Sequence, residues 1–143
     1  MILTFLNKYR DVGLLILRVG FGIMFIFHGA PKLFGGPERW GKLGAAMGNF
    51  GIDFLPAFWG FMASFSEFFG GILLILGLFF RPACILLTLT MIVAAGFHIG
   101  RGDGFLGASR AIENGIVFLS LILIGPGKVS LDKRLSRDRD NNT

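Results

Sequence analysis

The chain has 143 residues, of which 53% are hydrophobic and only 16% are charged, and its mean hydropathy is +0.69. A soluble domain carries about 25% charged residues, so this composition excludes an ordinary soluble domain. The apolar content also excludes a disordered chain. The formal net charge of +5 comes without a basic stripe interleaved with aromatic residues, which indicates contact with lipid headgroups and not with nucleic acid. Most of the chain is therefore predicted to lie in a lipid bilayer.

Four long apolar blocks follow one another along the chain. They cover about residues 12–34, 54–80, 82–100 and 108–125, and each is near the roughly 20 residues that a helix needs to cross a bilayer. None shows the alternation that is typical of a barrel strand. The sequence therefore predicts an all-α fold, a transmembrane four-helix bundle that forms one membrane domain over residues 1–143.

The segments outside the blocks indicate how the bundle is oriented. The first block is long, contains Arg18 and lacks the Ala-x-Ala exit of a signal peptide, so we expect it to be retained as a span. Lys and Arg are more frequent on the side of both termini than on the other side, which favours an N-in, C-in orientation. The polar residues 128–143 are predicted to form a mobile cytoplasmic tail.

The loop between the first two blocks carries apolar side chains three or four residues apart. This spacing predicts a short amphipathic segment on the outer side, which either caps the bundle or anchors a glycine-rich loop in the interface. The residues concerned are Trp40, Leu43, Met47 and Phe50.

Every predicted span contains a polar or ionisable side chain that is costly to place in lipid. Such residues usually face the interior of a bundle and mark functional sites. The residues in question are Arg18, His28, Glu67, His98, Glu113 and Asn114. We therefore expect a shared polar site between the four helices.

The depth of these residues in their helices divides them into two groups. At about 1.5 Å per residue, Arg18 lies about 24 Å and Glu67 about 20 Å from the outer ends of their spans. We expect these two to form a buried pair, because a pair costs less than two isolated charges. The pair is either a structural contact or part of a proton path.

A second group is predicted near the outer ends of the helices. It comprises His28, His98, Glu113 and Asn114, with Lys32 one turn above His28. It is either a hydrogen-bonded cluster that water reaches or a site for ligand binding and proton transfer.

Metal binding and thiol chemistry are less favoured by the sequence. Histidine and glutamate can bind zinc or iron, but the paired Glu-x-x-His motifs of a di-iron bundle are absent. No metal site is therefore predicted, and a metal ion remains a minor alternative. Cys84, the single cysteine, excludes disulfide pairs within the chain and thiolate-rich sites. It is predicted to lie at the inner end of the third span, away from both histidines.

Several short motifs, in order and spacing, resemble those of the DoxX family. They are Leu17-Arg18-Val19-Gly20, Phe27-His28-Gly29, Lys32-Leu33-Phe34, Glu67-x-x-Gly70-Gly71, His98, Glu113-Asn114 and Gly125-Pro126-Gly127. The resemblance implies a small four-helix protein of the bacterial inner membrane. It also implies a role in membrane oxidoreductase assemblies, which in this family include a thiosulfate:quinone oxidoreductase. The family positions carried over to this chain are Arg18, His28, Lys32, Glu67, His98 and Glu113.

The leading functional hypothesis is a membrane subunit of a quinone-linked redox system. His28 and His98 would donate hydrogen bonds or carry protons, and Glu113 would relay protons. Lys32, Asn114, Arg18 and Glu67 would line the binding pocket for a quinone or another small redox substrate. The sequence contains no flavin, haem or iron-sulfur motif, so a partner redox protein would have to supply the electrons.

Two other classes of function remain open. The first is a non-enzymatic membrane protein that organises partner proteins or carries a small molecule, although four helices leave little room for alternating access unless the chain forms a homo-oligomer. The second is a metal-dependent enzyme.

Overall fold

The computed structural model describes residues 3–140, which form helices joined by short turns and contain no β-strand. The helices are α1 (Arg10–Leu33), α2 (Gly36–Gly44), α3 (Pro56–Leu76), α4 (Phe80–Gly100), α5 (Gly104–Ile124) and α6 (Leu131–Asp140). Short 3-10 helices, Thr4–Tyr9 and Ala45–Phe50, precede α1 and follow α2. The last three residues of the predicted tail, 141–143, lie outside the described residues.

Within residues 3–140, four helices are long and apolar enough to cross a membrane, namely α1 with the turn before it, α3, α4 and α5. The predicted all-α fold with four spans is therefore confirmed. The helix ends fall close to the predicted ones; the largest differences are at Leu76, where α3 ends, and at Gly104, where α5 begins. Gly77 ends α3 because it takes a left-handed conformation with φ of 62°, which favours glycine.

Glycines determine how closely α1 and α3 approach. A Cβ on Gly29 would overlap the backbone of Phe68, and a Cβ on Gly22 would overlap the carbonyl oxygen of Gly71. Small residues allow such close packing of membrane helices. The contacts also fix the register of the two helices, because they place Gly29 beside Phe68.

The loop after α1 is a helix that packs along α3. A Cβ on Gly60 would overlap the backbone of Trp40, so α2 lies directly against the first half of α3. The 3-10 helix after α2 then reaches α4, where Phe50 lies against Gly96. We call this side of the molecule, which includes α2 and the α4–α5 turn, the cap face. The opposite side, where α1 begins and α5 ends, is the terminal face.

The four long helices form an incomplete ring. Helix α1 packs on α3, α3 packs on α4, and α4 packs on α5. The remaining gap between α1 and α5 is bridged by aromatic rings: Phe118 of α5 contacts Phe21 and Phe25 of α1 at centroid distances of 5.8 and 4.8 Å. Beside these rings and towards the cap face, α1 and α5 leave a space.

The start of the polar tail is attached to the bundle. The Asp132 carboxylate accepts hydrogen bonds from the backbone N–H groups of Phe79 and Phe80, at 2.9 and 3.0 Å, and so caps the start of α4. The backbone N–H of Asp132 donates to the carbonyl oxygen of Gly77. The tail continues from there as α6; its mobility and its cytoplasmic side stay predictions.

Candidate functional site

A cavity of about 1100 Å³ lies between α1 and α5, with parts of α3 and α4 forming its back. Its polar lining gathers towards the cap face and comprises His28, Lys32, Glu67, His98, Asp103, Arg110, Glu113 and Asn114. Its apolar lining continues down α1 with Ile16, Leu17, Phe21, Met24 and Phe25, and it also includes Met91 and Ala94 of α4 and Leu106 and Ala111 of α5. From Lys32 to Ile16 the lining of α1 extends about 24 Å at 1.5 Å per residue. The cavity therefore has a polar end and a long apolar end.

Every residue that the sequence placed in a polar site, except Arg18, lines this cavity. The outer group of His28, Lys32, His98, Glu113 and Asn114 is brought together, and Glu67 joins it from α3. The exposure of these side chains differs: Glu67 is buried, Lys32, His98 and Asn114 are partly buried, and His28 and Glu113 are exposed. The two exposed residues stand on the opposite walls formed by α1 and α5.

Arg18 is fully buried, but it does not pair with Glu67, so that prediction is wrong. Its guanidinium donates to the carbonyl oxygens of Leu74 and Ile75, both at 2.9 Å, and of Pro126 and Val129, both at 2.7 Å. These carbonyls belong to the end of α3 and to the segment that follows α5. Arg18 thus joins three parts of the chain at the terminal face and lies outside the cavity lining.

Arg18 and Glu67 lie at different levels of the bundle because α3 extends past the end of α1. Because Gly29 packs beside Phe68, the first residues of α3 extend about two turns past the end of α1, where α2 covers them. Depth measured from the start of α3 therefore placed Glu67 too far from the cap face. In the structure Glu67 lies near the level of Gly29, within reach of Lys32.

Glu67 forms a bidentate contact with Lys32. The Nζ of Lys32 donates to Oε1 and Oε2 of Glu67 at 2.8 and 2.6 Å, and the Glu67 side chain is only 5% exposed. The indole N–H of Trp40 donates to the carbonyl oxygens of Lys32 and Leu33, which attaches α2 to the end of α1. The pair places one charge of each sign at the polar end of the cavity.

Replacing Lys32 by Met is expected to lower the free energy of unfolding by about 3 kcal/mol, because it leaves the Glu67 carboxylate buried without its partner. Thermal or denaturant unfolding in detergent micelles measures this loss. Replacing both residues by Met is expected to recover most of it. The matched control is Lys42→Met, which breaks the exposed Lys42–Glu38 pair at a cost below about 1 kcal/mol. Equal losses in the two single variants would contradict the expectation.

The Nδ1 atom of each histidine takes part in a hydrogen bond, and this bond determines which ring nitrogen carries the proton. The Nδ1 of His28 lies 2.7 Å from the carbonyl oxygen of Met24, and the Nδ1 of His98 lies 2.8 Å from Oδ2 of Asp103. Because both oxygens can only accept, each Nδ1–H donates. In the neutral ring the lone pair is then on Nε2.

Asp103 and Arg110 also line the cavity, and the sequence did not identify them as site residues. The hydrogen bond from His98, together with the charge of Arg101, holds the pKa of Asp103 below its ordinary value. Asp103 therefore stays ionised until the pH falls below the usual range for aspartate, and only then does this contact weaken. The one available signal in the sequence was the spacing, since Asp103 follows His98 by five residues in the turn before α5.

The polar end of the lining contains groups that can form hydrogen bonds and exchange protons. Among residues 3–140, no three His, Cys, Asp or Glu side chains come close enough to share a metal ion. Cys84 is completely buried in the core that contains Leu87 and Phe118. The imidazoles, carboxylates and amide at the polar end can together donate to and accept from the oxygen atoms of a ligand.

The fold and this arrangement define a small multi-pass membrane protein with a ligand-sized cavity. The sequence profile of the DoxX family matches residues 13–99, and the chain belongs to this family. No solved structure matches the chain.

The chain is also similar to proteins of three bacteria. An uncharacterized Haemophilus influenzae protein is 34% identical, with 90% of this chain and 95% of that protein aligned. The Escherichia coli inner membrane protein YphA is 31% identical over 87% of this chain and 91% of its own length. The Bacillus subtilis protein named "Putative oxidoreductase CatD" is 37% identical over 62% of this chain and 61% of its own length. Family, spans and inner-membrane relatives place this chain in the bacterial inner membrane as a multi-pass protein.

Proposed function

We propose that this protein is a membrane subunit of a quinone-linked redox system and that it binds a quinone in the cavity between α1 and α5. One observation carries the proposal: a single cavity has polar side chains at one end and apolar side chains along the rest of its length. A quinone has a matching shape, with a flat head that carries two carbonyl oxygens and an isoprenoid tail.

The size and walls of the cavity suit this occupant. Ligand sites are usually about 300–1000 Å³, and the volume here, about 1100 Å³, leaves room for the head and the first part of a tail. Phe21 and Phe25 line the apolar part, where a flat ring or isoprenoid unit can pack on aromatic faces. The remaining tail would leave between α1 and α5 into the bilayer.

The charges of the lining favour a neutral head. Lys32 and Glu67 neutralise each other, and the Arg110 cation shares the cavity with the carboxylates of Asp103 and Glu113. Because positive charge is not in excess, a small oxyanion gains little from this lining. An uncharged head needs only hydrogen bonds at its oxygens: Asn114 can donate to a quinone carbonyl, and the Nε2 lone pairs of the two imidazoles can accept from the hydroxyl groups of the quinol.

The reaction assigned to this site is the interconversion of quinone and quinol. Reduction takes two electrons and two protons and converts each carbonyl oxygen to a hydroxyl group. A partner redox protein supplies or accepts the electrons, while His28 and His98 exchange the protons at the oxygen atoms and Glu113 relays them. The oxidoreductase name of the Bacillus subtilis relative supports the proposal of a redox role for this chain.

Substituting either histidine by alanine is expected to weaken binding of the quinol roughly tenfold, the effect of losing about one hydrogen bond from a quinol hydroxyl to Nε2. Equilibrium binding of a short-chain ubiquinol analogue to the purified protein in nanodiscs measures the affinity. The control is Thr90→Ala on α4, because the Thr90 hydroxyl bonds to the carbonyl oxygen of Leu86 in its own helix. Unchanged affinity in both histidine variants, or no binding to the wild type, would remove the proposed site and favour a role in organising partner proteins.

A further inference from the structure

Asp103 occupies a position at which aspartate usually caps a helix, but its side chain does not cap α5. It is the residue before the first turn of α5, where aspartate usually accepts hydrogen bonds from the backbone N–H groups of the helix. In the described part of the chain its side chain forms no such cap. The carboxylate instead lies 2.8 Å from Nδ1 of His98, on the neighbouring helix α4.

The surroundings of the pair place it between water and the polar end of the cavity. Both side chains line the cavity and both are partly exposed, His98 at 39% and Asp103 at 32%. Arg101 approaches the same carboxylate oxygen at 3.8 Å and lies over the ring of Phe97. The other charged and titratable groups that face the shared space are His28 and Lys32 of α1, Glu67 of α3, and Arg110 and Glu113 of α5.

We infer that Asp103 is a positioning residue for His98, which holds the ring in the Nδ1–H form and directs Nε2 to a ligand in the cavity. An unconstrained neutral imidazole favours the Nε2–H form, so the carboxylate reverses the natural preference of the ring. It also stabilises the imidazolium that forms when Nε2 takes up a proton. The consequence for binding rests on the proposed function, because it requires a ligand with a hydroxyl group, such as a quinol, that donates to Nε2.

The tautomer of His98 tests this inference without any ligand. The chain has two histidines, so protein labelled with ¹⁵N-histidine gives two sets of ring signals, which a His28→Asn variant assigns. At about pH 8, where imidazole is ordinarily neutral, His98 is expected in the Nδ1–H form in the wild type and mainly in the Nε2–H form in Asp103→Ala. Asp103→Asn is expected to keep the Nδ1–H form, because its side-chain carbonyl oxygen can still accept.

Asp53→Ala serves as the matched control, since Asp53 is an acidic residue in the turn before α3 at the same face and is not part of the cavity lining. It should leave the His98 signals unchanged. The inference is overturned if Asp103→Ala keeps the wild-type tautomer or if the wild type already has the Nε2–H form.

A second measurement separates this inference from the proposed function. In Asp103→Ala the affinity for a short-chain ubiquinol analogue, whose hydroxyl groups can donate to the Nε2 lone pair, is expected to fall roughly tenfold relative to wild type and to Asp53→Ala. If the wild type binds the analogue and Asp103→Ala binds it equally well, the positioning role in binding is wrong while the quinone site stands. If the wild type binds no quinone, the proposed function fails, and the NMR result alone decides whether Asp103 positions His98.

Discussion

Replacing Gly20 by Leu should reduce the affinity for a quinone at least about 100-fold without unfolding the protein. Gly20 lines the cavity, and a Cβ added to it meets nothing within 4 Å. The leucine side chain would therefore extend into the apolar part of the cavity, between the levels of Leu17 and Phe21. The head or tail of a bound quinone could not occupy the volume that the leucine fills, and close-packed sites tolerate such overlap poorly.

The same helix offers a matched control in Gly13→Leu. Gly13 also has open space around an added Cβ, but it is absent from the cavity lining. Both substitutions replace a helical glycine and are expected to favour the helix by about 0.5–1 kcal/mol. Binding of the short-chain analogue should therefore be lost in Gly20→Leu and retained in Gly13→Leu, with both proteins melting at or above the wild-type temperature. Normal binding in Gly20→Leu would show that the ligand does not occupy this cavity.

Arg18→Met should destabilise the protein at least as much as Lys32→Met does, with an expected loss of about 3–5 kcal/mol in the free energy of unfolding. Arg18 is 1% exposed, and its guanidinium serves four carbonyl oxygens. Each buried acceptor left without a donor costs about 1–3 kcal/mol, and partial exposure of the loop carbonyls keeps the sum below the full fourfold value. Loss of Arg18 also separates the end of α3 from the segment after α5.

A lysine at position 18 separates the effect of charge from that of side-chain shape. Lysine keeps the positive charge but lacks the planar fork of donors, so Arg18→Lys is expected to recover less than half of the loss. Arg10→Met removes an exposed arginine from the first turn of the same helix and should change stability by less than about 0.5 kcal/mol. Unfolding in detergent micelles measures all three. A stability of Arg18→Met equal to that of Arg10→Met would mean that the guanidinium does not hold the terminal face together.

The spans were predictable because their evidence is local. Length and apolar content identify a membrane helix without knowledge of its neighbours, and α1, α3, α4 and α5 each satisfy these criteria separately. The outer group was placed by the same local measure. His28, His98 and Glu113 lie near helix ends that meet at the cap face, so their depths are all measured from the same level of the bundle.

The errors concern residues whose partners depend on the whole arrangement. Glu67 was misplaced because α2, which packs along the start of α3, covers a part of that helix that extends past the end of α1. Arg18 was assigned a carboxylate partner because the sequence gives no sign of carbonyl oxygens contributed by Pro126 and Val129, more than one hundred residues away. The sequence does not identify Asp103 because an acidic residue in a turn usually faces solvent, and it reaches His98 only through the folding of the turn between α4 and α5.

The attachment of the terminal face to residues 126–132 has a consequence for biosynthesis. Two of the four carbonyls that bind Arg18, and the carboxylate that caps α4, are encoded after the last membrane span. They leave the ribosome only when every span is already available for insertion. The first helices therefore reach their final arrangement only after this last segment has been synthesised. A stop codon placed directly after Ile124 would release four inserted helices that lack the segment joining them at the terminal face.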